Sequence, residues 1–319
     1  MELHLQTKPK APSVSDQEVY DLLIVGGGPA GLNAALYAKR KGLKVAILAE
    51  KVGGQVLDTS SVENYLGLPS ETGEGLMKKF QAHVAELKVP IKGHVLVNQI
   101  EDGTLKRVHT NTGQIFQSKT VILATGSKPR KLDVPGEKEF AGKGVAYCAI
   151  CDGPLFAGMD VMVAGGGNSA VEAAIDLSKI ANHVSLVHRS QFRADQILVD
   201  QLIAKENVSI HLNTQIQSVE GQGLVSHVNA LDKETGEKVK IEGNGLFVEI
   251  GYLPNSDAFA NLVKRNERGE IEVTAKCQTN IAGIFAAGDV TDMPYKQIVI
   301  SAGEGAKAAL AANDYINTL

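Results

Sequence analysis

The sequence is short of three things. Cysteine occurs three times in 319 residues, at 148, 151 and 277. No apolar run approaches the ~18 residues that cross a bilayer, so no membrane-spanning helix is expected. Charge of one sign is nowhere concentrated. The net charge is −4 and there is no basic block, which argues against nucleic acid and anionic membrane as partners. The first ten residues also lack the apolar core of an export signal. A cytoplasmic location is therefore expected, where a disulfide is catalytic and transient rather than a staple.

Two of the cysteines stand together, in Cys148-Ala149-Ile150-Cys151-Asp152-Gly153. A zinc site would need about two more ligands, commonly from a second C-x-x-C or an H-x₃₋₅-H. Cys277 is alone, and the one histidine pair with such spacing, His183 and His188, falls on a predicted strand. No metal site is expected. A redox dithiol needs no third ligand, only one thiol of lowered pKa and a source of electrons. Asp152, directly after the pair, can move a proton when a thiolate leaves or attacks. Inert buried thiols are the competing reading. Cys277, without a partner in sequence, is expected to be structural.

Glycine is abundant, at 33 residues, and clustered. The apolar run from Asp21 to Val25 reads as a strand. It leads into Gly26-Gly27-Gly28-Pro29-Ala30-Gly31, a helical pattern through Arg40, and a second strand that ends at Glu50. In a G-x-G-x-x-G turn of this kind, Gly26 makes the tight turn and Gly28 lets backbone N–H groups approach a pyrophosphate. Gly31 lets helix and strand pack closely, and Glu50 can accept hydrogen bonds from a ribose. A glycine-rich turn that binds nothing is the alternative.

The unit recurs. A strand over 160–164 runs into Gly165-Gly166-Gly167-Asn168-Ser169-Ala170, followed by a helix over 171–180 and a strand over 184–187. Two dinucleotides are therefore expected. In the second copy Ala170 replaces the third glycine, and His188-Arg189, with Arg193 beyond, stand where the first copy has Glu50. Cationic groups there favour a 2′-phosphate over a free 2′-hydroxyl, hence NADPH over NADH, unless the arginines are merely solvated.

Between the two copies, residues 76–88 read as a helix. Residues 91–122 alternate as a small antiparallel β unit that ends in a buried strand and Thr125-Gly126. After the second copy comes another helix, then alternating strands that close on Ile250-Gly251. A buried strand over 281–286 leads to Gly288-Asp289, and an Ala-rich helix covers 297–317. Asp289 could bond a cofactor's ribityl or phosphate groups, and the helix start near Gln297 could face a ring system. Gly54-Gln55 and Asn64, taken alone, read as loop residues.

In order, these motifs are G-G-G-P-A-G, G-G-Q, E-N-Y, A-T-G, C-A-I-C-D-G, G-G-G-N-S-A, H-R-S-Q-F-R-A and G-D-V. From about residue 20 onward the chain resembles the low-molecular-weight thioredoxin reductases and the flavoprotein component of alkyl hydroperoxide reductase. The resemblance implies an α/β fold of two Rossmann-like three-layer dinucleotide-binding domains, with the NAD(P)H domain inserted in a split FAD domain. The expected division is an extension over 1–19, FAD domain over 20–127 and 254–319, and an NAD(P)H domain carrying the C-x-x-C over 128–253. FAD would take Gly26, Gly28, Pro29, Ala30, Gly31, Glu50, Gly54, Gln55, Asn64, Thr125, Gly126, Gly288, Asp289, Lys296, Gln297 and Ile298. The nicotinamide nucleotide would take Gly165, Gly167, Asn168, Ser169, Ala170, His188, Arg189, Arg193, Ile250 and Gly251.

By the same resemblance Cys151 faces the flavin, Cys148 exchanges with a protein disulfide, Asp152 donates the proton, and the protein is a homodimer. The expected activity is NADPH-dependent reduction of thioredoxin or a thioredoxin- or glutaredoxin-like protein. An NADH-dependent reductase serving a peroxiredoxin is the alternative, followed by a dithiol oxidase and a redox sensor without turnover. Ser190 departs from the H-R-R pattern of thioredoxin reductases, and Pro294-Tyr295-Lys296-Gln297-Ile298 is closer to the hydroperoxide-reductase flavoprotein. That flavoprotein carries an N-terminal thioredoxin-like domain, whereas about 19 residues precede the first strand here. Electrons are thus expected to pass to a separate dithiol protein.

Overall fold

The computed structural model describes residues 13–59 and 62–319, so residues 1–12 of the expected extension lie outside the described residues. In chain order the elements begin with β1 (Val19–Gly27), α1 (Pro29–Arg40), β2 (Val45–Val52), α2 (Gly73–Glu86), β3 (Ile91–Lys92), β4 (Val97–Glu101), β5 (Lys106–Thr110) and β6 (Ile115–Leu123). They continue with β7 (Ser127–Pro129), β8 (Val145–Ala146), α3 (Ala149–Asp152), β9 (Asp160–Ala164), α4 (Asn168–Leu177), β10 (His183–Val187) and α5 (Gln196–Ile203). The rest are β11 (Val208–His211), β12 (Thr214–Gln222), β13 (Leu224–Asp232), β14 (Lys238–Glu242), β15 (Gly245–Val248), β16 (Tyr252–Pro254), β17 (Ile284–Ala286) and α6 (Ile298–Ile316). Two compact units result. Among the described residues, one comprises 13–59, 65–128 and 253–319, the other 62–64 and 129–252. One unit is thus drawn from both ends of the chain with the other inserted, the split α/β arrangement expected. The short strands β7 and β16 pair with each other.

The first unit is built on a sheet of order β3-β2-β1-β6-β5-β4, with β17 also on β6. β1, β2, β3, β6 and β17 run parallel, whereas β4, β5 and β6 form an antiparallel meander. β6 serves both. Its first half pairs with β5 and its second half, Val121 to Leu123, pairs with β17. The sequence pattern splits this stretch into an antiparallel piece and a separate buried strand. In the fold it is one continuous strand, because its apolar end is covered on both sides. Leu23, Val25, Val121, Leu123, Ile284 and Ala286 share one core cluster, which Val14 also joins from the N-terminal segment.

The helix expected over 76–88 begins earlier, at Gly73. Thr72 caps it by accepting from the Gly75 N–H at 3.0 Å. Gly73 and Gly75 are poor helix formers and masked this start. α1 and α6 pack against each other and on the parallel strands.

The second unit has three layers. Its central sheet, β11-β10-β9-β15-β8, is parallel throughout. On β9 the side chains alternate, as strand geometry requires. Val161 and Val163 face the cluster with α4, and Met162 and Ala164 face the meander β12-β13-β14. On β15, Phe247 turns to the helices and stacks edge-on against Phe156, ring centroids 5.2 Å apart. Each fully buried side chain of this size contributes ~1.5–3 kcal/mol. Among the described residues, no helix is long and apolar enough to cross a membrane.

Candidate functional site

In the first unit, β1 delivers the glycine loop to the start of α1. Gly26 has φ +121°, and a Cβ there would lie 2.1 Å from the Ala124 carbonyl oxygen. A Cβ on Gly31 would lie 2.0 Å from the Gly26 carbonyl oxygen. Backbone therefore fills the space that any side chain would need. Gly28 is different, since nothing lies within 4 Å of its would-be Cβ. No side chain caps α1, and Pro29 opens it. These free N–H groups and this open approach fit a bound pyrophosphate.

Distant residues close around this loop. Gly54 packs on the Gly28 backbone, its would-be Cβ at 3.2 Å, and exposed Gln55 follows. Gly288 approaches Ala30 (3.0 Å from Cβ to Cβ), and Gly305 of α6 lies on the Ala30 carbonyl. Asp289 is largely buried, which raises its pKa, and it accepts from the Ser301 hydroxyl at 2.9 Å. The Gly288 N–H donates to Glu304, a buried carboxylate, at 2.7 Å. Thr125 donates through its hydroxyl to the Asn255 carbonyl at 2.7 Å, and the Asn255 N–H returns to Gly126 at 2.9 Å. Glu50 ends exposed on β2. Lys296 is held by the carbonyls of Thr291 and Met293 and by Glu270. Gln297 is the residue before α6 and Ile298 its first. Asn64 groups with the other unit.

In the second unit the loop after β9 repeats this design. Gly165 has φ +150°, and its would-be Cβ would meet the Glu249 carbonyl at 2.3 Å and the Ala170 Cβ at 2.6 Å. Gly167 is open, and no side chain caps α4. Ser169 is exposed in the first turn, while Asn168 exchanges hydrogen bonds with Asp195, 2.9 Å each way. His188 is not a surface cation. Its ring is buried beneath Gly166, and burial, then Arg193 and Arg189, lower its pKa. The positive charge expected at this position rests instead on Arg189 and Arg193, both exposed. The Arg193 N–H is tied to the Gly166 carbonyl at 2.7 Å. Ile250 packs on the core, and the Gly251 carbonyl accepts from the Arg130 N–H at 2.9 Å.

The same unit carries the dithiol. Cys148 and Cys151 are joined as a disulfide, their Cα atoms 5.3 Å apart, and α3 begins directly after Cys148. Three residues that sequence inspection missed hold this segment. Buried Glu137 accepts from the Tyr147 hydroxyl at 3.2 Å, the Tyr252 hydroxyl donates to the Tyr147 carbonyl at 2.6 Å, and Glu249 accepts from the Ala149 N–H at 3.0 Å. None belongs to a motif, so no local signal marks them. Ile150, between the cysteines, is 67% exposed, and both cysteines are half-buried. Cys277 is fully buried at φ +59°, and burial pushes its thiol up to about 11. Such a thiol stays protonated at neutral pH, in keeping with the structural role expected of it.

Burial pushes Asp152 from 3.8 up to about 6. A carboxyl with this pKa holds and releases a proton near neutrality. Because the folded pKa lies above the unfolded one, its neutral form is favoured in the fold. The contribution of this group to stability is then fully present below about pH 4 and is lost as pH rises through about 6. Asp152→Asn is expected to stabilise the protein by up to about 3 kcal/mol above pH 7 and not at all near pH 4. Urea melts at the two pH values check this, and equal effects at both would refute it.

Comparison with known proteins agrees with this geometry. Residues 20–308 match the family described as pyridine nucleotide-disulphide oxidoreductase. A component of the alkyl hydroperoxide reductase of Escherichia coli (strain K12) is 45% identical over 97% of this chain and 60% of its own length. The NADH dehydrogenase of Bacillus subtilis (strain 168) is 45% identical over 96% of this chain and 60% of its own length. The chain thus spans about 60% of the length of these curated relatives. Among solved structures, thioredoxin reductase from Streptococcus pyogenes MGAS5005 superposes with a TM-score of 0.89 at 38% identity, covering 94% of this chain and 99% of that one. Thioredoxin reductase from Giardia duodenalis gives 0.88 at 32% identity, covering 94% and 100%. Enzymes of this type use FAD together with NADH or NADPH, the pair that the two glycine loops fit. With two open phosphate loops, a disulfide in one unit and a family match over nearly its whole length, the chain belongs to the pyridine nucleotide-disulphide oxidoreductase family.

Proposed function

We propose that this chain is a flavin-dependent disulfide reductase that passes electrons from NADPH to thioredoxin or a thioredoxin- or glutaredoxin-like protein. The observation that carries this reading is the Cys148–Cys151 disulfide, with half-buried Asp152 and Glu249 on or against its segment and a dinucleotide loop in the same unit. FAD would be held by the loop 26–31 with Gly54, Gly288 and Asp289, and the nicotinamide nucleotide by the loop 165–170. When bound, FAD supplies a two-electron carrier between nicotinamide and disulfide. The protein's own part is the sulfur and proton chemistry. The S–S bond opens with two electrons and two protons, one of them held beforehand by Asp152. The Cys148 thiolate then attacks the partner's disulfide and forms a mixed disulfide. Cys151 displaces the partner as a dithiol and restores the Cys148–Cys151 bond. We place the enzyme in the cytoplasm as a homodimer, with a small dithiol protein as its partner.

The nucleotide preference rests on Arg189 and Arg193. Replacing both by alanine is expected to lower kcat/KM for NADPH by about tenfold to a hundredfold while leaving that for NADH within about twofold. Steady-state oxidation of the two nucleotides, with thioredoxin as acceptor, measures this. A second reading, NADH-dependent reduction serving a peroxiredoxin through a small carrier, is favoured by the relatives whose names are alkyl hydroperoxide reductase and NADH dehydrogenase. It would be established by a wild-type preference for NADH together with faster turnover of the peroxiredoxin carrier than of thioredoxin.

A further inference from the structure

Glu249 stands between the dinucleotide loop and the dithiol of its unit. Its N–H donates to the Ala164 carbonyl at 2.8 Å. Its own carbonyl lies where Gly165 admits no side chain, the would-be Cβ being 2.3 Å away. Backbone on both sides thus fixes the direction of the side chain. The carboxylate reaches across to the Ala149 N–H, 100 residues earlier in the chain, at 3.0 Å. That N–H belongs to the residue directly after Cys148. Burial pushes the Glu249 carboxyl up to about 7, and the Ala149 bond opposes that rise. A carboxylate is costly to keep in such surroundings, and packing alone does not call for one.

We infer that Glu249 is a positioning residue that sets the redox poise of the dithiol: its carboxylate anchors the peptide after Cys148 and places negative charge where it opposes a thiolate on Cys148. This rests on the disulfide-reductase reading above. Opening the disulfide breaks the S–S bond, and two electrons and two protons make two thiols, one of which ionises in exchange. A neighbouring anion raises that thiol's pKa, destabilises the reduced pair and makes it a stronger reductant. Asp152 directly follows Cys151 in the chain, whereas Glu249 reaches the residue after Cys148 from the end of β15.

The test equilibrates FAD-loaded protein with mixtures of reduced and oxidised dithiothreitol at pH 7.5. Alkylation of Cys148 and Cys151, read by mass, reports the fraction reduced. In E249Q, which keeps an acceptor for the Ala149 N–H but removes the charge, the equilibrium constant is expected to move about three- to tenfold toward the dithiol, that is ~15–30 mV for a two-electron couple. E249A is expected to move at least as far. If E249Q equilibrates as the wild type and E249A alone moves, the carboxylate serves only as a structural acceptor and the inference is overturned. A149P guards against misfolding of the Glu249 variants. Proline is tolerated at a first helical position, and Cys148 has the extended backbone (φ −146°, ψ 101°) that precedes proline readily. Losing this N–H lets the Glu249 carboxyl become neutral, so the same direction of shift is expected, and no shift overturns the inference. The exchange with dithiothreitol does not involve NADPH. A failure of NADPH to reduce the pair would therefore sink the functional reading while leaving the result on Glu249 standing.

Discussion

Cys148→Ser is expected to abolish reduction of a protein disulfide, by about 10³-fold or more, because the attacking sulfur is gone and a serine hydroxyl is no nucleophile toward a disulfide. The same variant is expected to keep nucleotide-dependent reduction of ferricyanide within about threefold, since neither glycine loop is touched. Cys151→Ser is expected to lose turnover equally but by a different route. Its Cys148 can still attack, yet nothing resolves the product, so a mixed disulfide with the partner accumulates and is visible on a non-reducing gel. Parallel assays of acceptor reduction, ferricyanide reduction and adduct formation separate these outcomes. Normal thioredoxin turnover by Cys148→Ser would remove this dithiol from the mechanism altogether. The physical ground is access: Ile150 between the two cysteines is exposed and both cysteines are half-buried around the start of α3.

Gly31→Val is expected to cost the first unit about 3 kcal/mol or more, and the purified protein is expected to lose its yellow colour. Even one methyl group at this position would sit 2.0 Å from the Gly26 carbonyl oxygen, and that neighbour is backbone at the end of β1, which cannot swing aside. Gly305→Val is expected to act similarly from the other end of the chain, because its would-be Cβ lies 2.0 Å from the Ala30 carbonyl oxygen. Gly28→Ala is the informative contrast. Nothing surrounds its would-be Cβ within 4 Å, so the fold is expected to persist while the pyrophosphate approach narrows. Flavin-to-protein absorbance ratios and thermal melts of the three variants distinguish these cases. A Gly31→Val protein that retained full flavin and the wild-type melting temperature would contradict the packing described for α1.

Much of the molecule is visible in the order of its residues. Both glycine loops, the strands that feed them and the helices they open are recovered from apolar runs and glycine spacing, because each is a local pattern of about 30 residues. The dithiol is also local, with Asp152 directly after it. Patterns failed where two tasks share one element. β6 pairs with an antiparallel neighbour along one half and a parallel one along the other, and alternation alone does not show this. Composition misled at His188, which reads as a cation beside two arginines but is a buried ring under Gly166.

The site's lone carboxylates form the second group of misses. Glu137, Glu249 and Glu304 are isolated acids in ordinary stretches, and each takes its place only from the groups it meets in the fold, a backbone N–H among them in every case. Asn255 is the same kind of case, meeting Thr125 130 residues away. Spacing along the chain thus sufficed to place the two glycine loops, the Cys148–Cys151 pair and its adjacent acid, since backbone geometry ties near neighbours together. Which acid would meet the peptide after Cys148 could not be read that way. It depends on β15 and β8 lying side by side, and that adjacency arises from burial of the whole sheet rather than from any short stretch of residues.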